Sequence, residues 1–244
     1  MGNNTSRSER RRAISVGGDP PGIGSAREPL YRLAEILVVP PLKLWFNWRM
    51  EGEEQIPADG PVLVAANHIS YLDPLANAYF LHRRGRRPRF LAKSELFEVP
   101  VLRTALSGSG QIPVERGTGS PAPVEAAARA LNAGQAVLVY PEGTVTKDPG
   151  FMPMPAKTGV ARLTLATGVP VVALASWGSQ NVWQKKGMGS LKFGRPIWQK
   201  AGQPMEFAGD ADDPDDLRRV ADAVMAGIRH LVKDLRDRYP VRWA

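Results

Sequence analysis

His68 and Asp73 are the residues of this sequence best placed to do chemistry. A neutral imidazole, with an ordinary pKa of about 6.5, can take a proton from an alcohol as it attacks an acyl group. A carboxylate nearby can hold one ring nitrogen protonated, aim the other at the hydroxyl and stabilise the cation that forms. A base positioned in this way is worth roughly 10²–10⁴ in rate. The two residues lie five positions apart, directly after the apolar run Val62-Leu63-Val64-Ala65-Ala66 and directly before Pro74. If the run is a buried strand and Pro74 opens a helix, the turn between them can fold Asp73 back onto the ring. Asp before Pro is also the usual N-cap and first-turn pair of a helix, so a purely structural use of Asp73 stays open. Of the other two histidines, His230 falls on an amphipathic helical pattern and His82 opens the basic loop 82–89.

The elements that would carry this pair alternate. After Val62–Ala66 the pattern predicts a helix from Pro74 to about Leu81, a strand over Arg89–Lys93, a helix over Glu95–Leu106 and a short strand over Gln111–Val114. An Ala-rich helix over Pro123–Asn132 is closed by Gly134, and Ala136–Tyr140 is a clear strand. A helix over Thr158–Thr167 stops at Gly168, and Val169–Ala175 is a further strand. The last helix starts near Asp213-Pro214 and carries Leu217, Val220, Val224, Ile228, Leu231 and Leu235 at a helical period. Strand–helix alternation over this length predicts one α/β domain, with a mixed, largely covered β-sheet flanked by helices.

Two segments precede it. Residues 1–28 are polar, basic and rich in Gly and Pro, which predicts a disordered tail; their start, Met1-Gly2-Asn3-Asn4-Thr5-Ser6, also fits the bare myristoylation pattern. Residues 29–50 hold two short apolar pieces around Pro40-Pro41, the second containing Trp45, Phe46 and Trp48 among cationic residues. Two short pieces joined by a proline kink cannot span a bilayer, but they can lie in its interface with Trp at headgroup level. Two core helices of an ordinary domain are the other reading. The organisation expected is therefore a tail (1–28), an interfacial helical segment (29–50) and an α/β domain (51–244).

The 244 residues carry 32 Lys and Arg against 24 Asp and Glu, a net charge of +8, and no cysteine. The missing cysteine excludes a disulfide framework, a thiolate zinc site and a cysteine nucleophile. The positive surplus points to an anionic partner. No nucleic-acid module or stacking-aromatic pattern accompanies it, so nucleic acid is not expected. No phosphate-binding loop, dinucleotide fingerprint, His-Glu-x-x-His or Gly-x-Ser-x-Gly elbow is present, which leaves serine hydrolysis unsupported.

Four motifs in order carry a resemblance. Asn67-His68-Ile69-Ser70-Tyr71-Leu72-Asp73-Pro74 resembles the first motif of the glycerolipid acyltransferases, the family of 1-acylglycerol-3-phosphate acyltransferases. Tyr140-Pro141-Glu142-Gly143-Thr144 resembles the third. Gly110-Gln111-Ile112-Pro113-Val114-Glu115-Arg116 looks like a variant of the second and Val169-Pro170-Val171-Val172 like the fourth. The resemblance implies His68 as general base and Asp73 as its orienter. It further implies that Glu142, Gly143 and Thr144 shape the acceptor pocket and that Arg116 binds the acceptor phosphate, with Lys157 as a second phosphate contact. The implied donor substrate is an acyl thioester, acyl-CoA or acyl carrier protein, used without a metal or resident cofactor. The implied acceptor is a membrane lipid, lysophosphatidate or a near relative, and the implied location is the cytoplasmic side of a cell membrane. Val145 stands where the family commonly has Arg, Glu115 where it has Asp, Pro113 near an expected apolar residue and Ala173 near an expected second Pro. These departures bear on the acceptor headgroup more than on the reaction. The basic loop 82–89 is a candidate for anionic lipid or for the phosphates of CoA, or is an ordinary solvated loop.

Overall fold

A computed structural model describes residues 28–115, 120–184 and 187–243. The tail, Arg116 and the 185–186 pair therefore lie outside the described residues. The elements run α1 (Glu28–Trp45), β1 (Phe46–Glu51), β2 (Val62–Ala66), α2 (Asp73–His82), β3 (Arg89–Lys93), α3 (Pro100–Gly108), β4 (Ile112–Val114), α4 (Ala122–Asn132), β5 (Ala136–Val139), α5 (Gly159–Thr167), β6 (Val171–Trp177), β7 (Trp183–Gln184), β8 (Gly187–Met188), β9 (Arg195–Met205) and α6 (Pro214–Arg238). Seven strands form one mixed sheet in the order β1-β9-β6-β2-β5-β3-β4, and β7 and β8 make a separate hairpin. β2, β3, β4, β5 and β6 are parallel, while β9 runs antiparallel to β6 and carries β1 parallel to itself.

Alternate residues of the central strands supply two cores. Leu63 and Ala65 of β2 join Val137, Val139, Val171 and Ala173 beneath α4, α5 and α6. Val62, Val64 and Ala66 join Leu138, Val172 and Leu174 beneath Phe80 and Leu81 of α2. All five residues of β2 are buried, which is why the run reads as continuously apolar. Each such Val or Leu contributes roughly 1.5–3 kcal/mol on burial. α6 is set by its own sequence. Asp213 caps it by accepting from the Asp215 N–H at 2.9 Å, Pro214 starts it, and acids at the front and Arg236 and Arg238 at the back complement its dipole. α5 ends at Gly168, whose φ of 69° is left-handed.

The N-terminal part departs from expectation. α1 continues through Pro40 and Pro41 instead of breaking there. The carbonyls these prolines leave without a helical donor belong to Ile36 and Leu37, whose side chains are 69% and 64% exposed, so water can satisfy them. The aromatic piece that follows is partly a strand. Phe46 is buried and Trp48 and Met50 are half-buried, alternating with Asn47, Arg49 and Glu51, and β1 pairs with β9 along its whole length. Residues 46–51 thus belong to the sheet. The helix expected over Glu95–Leu106 is split into a 3₁₀ turn at Ser94–Phe97 and α3, because a residue preceding proline, here Val99 before Pro100, resists the helical conformation. Among the described residues no helix is long and apolar enough to cross a membrane.

Candidate active site

β2, β5 and β6 are neighbours, and each delivers a loop to the same edge of the sheet. The β2 loop carries His68, the β5 loop Tyr140 to Thr144, and the β6 loop Ser179. Asn67 fixes the first loop to β6: its amide donates to the Ser176 carbonyl at 3.0 Å and accepts from the Ser176 N–H at 2.8 Å. Asp73 is the first residue of α2, with Leu72 at the N-cap position. Its carboxylate therefore turns back onto the loop instead of capping the helix. Oδ2 accepts from His68 Nδ1 at 2.9 Å and from the N–H groups of Ile69 and Ser70 at 2.6 and 2.7 Å. Oδ1 accepts from the Ser179 hydroxyl at 2.6 Å. Asp73 is fully buried and His68 retains 9% exposure. Because a carboxylate only accepts, Nδ1 carries the proton and Nε2 is left as the base.

The β5 loop closes over the imidazole. The Tyr140 ring stacks on His68 at 4.2 Å between centroids, inclined by 21°. Its hydroxyl accepts from Asn77 at 3.1 Å, and burial beside Asp73 holds the phenol well above its ordinary pKa. Asn77 in turn accepts from Ser176 and Gln199, so the ring is braced from two neighbouring strands. Glu142 is 5% exposed, and both its oxygens are engaged by backbone: Oε1 accepts from the His68 N–H at 3.1 Å and Oε2 from the Met154 N–H at 2.9 Å. Burial pushes its carboxyl up from the ordinary value, with those two N–H groups pulling the other way. The Thr146 N–H returns a bond to the His68 carbonyl at 2.7 Å.

Gly143 takes a φ of +72°, and a Cβ there would meet Lys157 Cε at 3.0 Å and Nζ at 3.2 Å, so the Lys157 side chain lies across the turn. Thr144 is half-buried on the same turn. Val145 is buried and lines a pocket of about 420 Å³ with Ile69, Thr146, Lys147, Phe151 and Gln184. His68, Asp73, Glu142, Gly143, Thr144 and Lys157 are thus gathered at one sheet edge, while Arg116 lies outside the described residues.

This constellation has relatives. The acyltransferase family profile matches residues 47–177, more than half of the chain, including His68, Asp73, Tyr140, Glu142 and Lys157. The chain belongs to the acyltransferase family. The chain is 31% identical over 164 residues to the chloroplastic 1-acyl-sn-glycerol-3-phosphate acyltransferase BAT2 of Brassica napus, covering 62% of this chain and 46% of the relative. It is 25% identical over 158 residues to the 1-acyl-sn-glycerol-3-phosphate acyltransferase of Bacillus subtilis, covering 62% and 74%. The chain thus spans about half the length of the chloroplastic relative. The fold is shared with the 1-acyl-sn-glycerophosphate acyltransferase PlsC of Thermotoga maritima, at a TM-score of 0.65 and 23% identity over 87% of this chain and 80% of that one.

Seen as an acyltransferase, the chain shows residues that motif reading passed over. Ser179 carried no signal, since a lone Ser after a strand is common. Tyr140 heads the third motif and ends a strand in the sequence pattern, but nothing in the sequence assigns its ring to His68. The basic loop 82–89 finds many of its partners within the protein. His82 and Arg87 pair with Glu35 at 3.1 and 3.2 Å, and Arg83 pairs with Glu53. Arg84 reaches the Ile56 carbonyl, and Arg86 the carbonyls of Pro57, Gly60 and Gly134. Arg89 reaches Gln135 and the Ser109 carbonyl. Arg86 and Arg89 thereby sit at the start of β2, β3 and β5, the sheet edge opposite His68.

Proposed function

We propose that this acyltransferase moves a fatty acyl chain from a thioester, acyl-CoA or acyl carrier protein, to the free hydroxyl of lysophosphatidate. His68 Nε2 takes the hydroxyl proton as the oxygen adds to the thioester carbonyl. The tetrahedral intermediate then collapses: the new C–O bond stays, the C–S bond breaks, and the imidazolium returns its proton to the departing thiolate. The acyl group passes directly between the two substrates, with no acyl-enzyme. Asp73 holds the imidazole in the required tautomer and offsets its positive charge while it is protonated. The observation that carries this reading is the 2.9 Å contact of His68 Nδ1 with a carboxylate that is itself held by three further donors. Such a carboxylate cannot swing away, so Nε2 is aimed before substrate arrives.

The acceptor reading is supported by the names of the relatives and by the Lys157 ammonium beside the Glu142–Gly143 turn. A phosphate there would meet a point charge, with Arg116 as the proposed forked contact. Glycerol 3-phosphate or another lysolipid is the second acceptor reading, favoured by one observation: Val145, buried in the pocket wall, supplies no cation where the family commonly has Arg. The proposed place of work is the membrane surface, because the acceptor is a bilayer lipid and α1 exposes Ile36, Leu37 and Leu44. A turnover assay tests the reading, with acyl-CoA and acyl carrier protein donors set against lysophosphatidate, glycerol 3-phosphate and neutral lysolipids. Transfer to lysophosphatidate above the others is the expected result. No transfer to any acceptor would leave only a module that docks on anionic membrane.

A further inference from the structure

The segment after Ser179 does two things at once. Trp183 begins the β7–β8 hairpin, and its carbonyl accepts from the Ser70 hydroxyl at 2.7 Å and from the Tyr71 N–H at 3.1 Å. Its indole packs edge-on to Tyr71 at 5.7 Å. The hairpin is thereby tied to the loop that carries His68. From Met188 to Phe193 the chain turns apolar side chains outward: Met188 is 63% exposed, Leu191 46% and Phe193 71%. These side chains are held out by a fixed frame. Gly189 and Ser190 donate N–H groups to Val182 and Asn181. The Trp45 indole N–H bonds the Leu191 carbonyl at 2.9 Å, and its ring meets Phe193 edge-on at 5.8 Å. The hairpin and the end of α1 so form one continuous apolar rim at the sheet edge that carries His68.

Scattered apolar residues on a surface need no explanation, but a contiguous rim beside a site does. The charge around it selects the occupant. From Pro149 to Met205 the chain has no Asp or Glu at all, while Lys192 sits between Leu191 and Phe193 and Lys43 beside Leu44 and Trp45. Apolar side chains interleaved with exposed Lys, on a stretch of sequence without acids, suit an anionic bilayer, whose acyl boundary takes the former and whose headgroups attract the latter. A protein partner would bring no reason for the missing acids. We infer that the segment from Met188 to Phe193 is a second lipid-contacting element, which together with Trp45 sets the mouth of the site on an anionic bilayer. The inference deepens the proposed acyl transfer by naming where its lipid acceptor would enter.

The test uses the full chain and vesicles of equimolar phosphatidylglycerol and phosphatidylcholine. Met188→Ser, Leu191→Ser and Phe193→Ser combined should weaken vesicle binding about tenfold. Transfer to a vesicle-borne acceptor should fall with it, while transfer to a short-chain acceptor dissolved without vesicles stays unchanged. Lys192→Glu, which removes no packing, should weaken binding to the anionic vesicles and leave binding to pure phosphatidylcholine unaltered. Vesicle affinity equal to wild type in both proteins overturns the inference, as does a change of oligomeric state in place of a change of vesicle binding. Loss of vesicle binding in a chain that shows no turnover with any acceptor would uphold the docking surface while refuting the acyltransferase reading.

Discussion

Ser179 donates to Asp73 Oδ1 at 2.6 Å across 106 positions of sequence, and both residues are fully buried. The bond joins the loop after β6 to the loop after β2. It completes a set of four donors on one carboxylate and fixes the side of Asp73 that does not face His68. The carboxylate that aims the imidazole is therefore itself aimed by a different strand.

Ser179→Ala should lower kcat about tenfold with KM nearly unchanged, because the lost bond orients Asp73 and contacts no substrate. A hydrogen bond to a charged group is worth about 1.5–3 kcal/mol, so the folded state should lose stability on that scale as well. Steady-state kinetics beside thermal unfolding checks both. An unaltered kcat would show that the Asp73 carboxylate holds its place without the serine.

Glu142→Gln tests the staple between the His68 loop and Met154. Glutamine offers one acceptor oxygen and one NH2, so one of the two backbone N–H groups would face another donor. A cost of about 1–3 kcal/mol follows from a buried donor left unsatisfied. The pH dependence has a definite sign. Burial raises this carboxyl above its ordinary value of 4.5, so between the two values the folded chain binds more protons than the unfolded one. Its contribution to stability is present at low pH and is lost as pH rises through that window. Urea unfolding at a series of pH values from about 4 upward should show this slope in wild type and its loss in Glu142→Gln. An identical slope in both would assign it elsewhere.

Arg86→Ala should act on stability alone. Its guanidinium ties the carbonyls of Pro57, Gly60 and Gly134 at 3.1, 2.5 and 3.4 Å, and burial lowers its pKa. Removing it should cost about 1.5–3 kcal/mol, while affinity for anionic vesicles stays as in wild type. A selective loss of vesicle binding would instead assign the loop a lipid role.

Much of the fold was legible because its signals are local. β2 and β3 lie where their apolar runs place them, and α6 starts at its Asp-Pro cap. The His68–Asp73 contact was legible too, since only seven residues, 67–73, lie between the strand and Pro74 and Asp73 must fold back within them. What was missed is set by partners distant in sequence. β9, the longest strand, reads poorly because Pro196, Gly202 and Pro204 interrupt it and because its inner residues Ile197, Trp198 and Gln199 are buried against β6 and β1. The alternation of β1 was hidden beneath the aromatic content that suggested an interface. The resemblance expects Glu142 to help shape the acceptor pocket, but that both its oxygens hold backbone N–H groups depends on Met154 and the His68 loop, which lie outside its motif. The charge of loop 82–89 alone leaves lipid, CoA phosphates and a solvated loop open, because Glu35, Glu53 and the carbonyls that engage its cations come from other elements.

The most direct measurement is turnover of His68→Ala beside wild type, with acyl-CoA and lysophosphatidate at saturating concentration. With the base gone and Asp73, Tyr140 and Glu142 still in place, kcat should fall roughly 10²–10⁴-fold while the fold and vesicle binding persist. Equal turnover in the two proteins would contradict the assignment of His68 as the group that takes the proton.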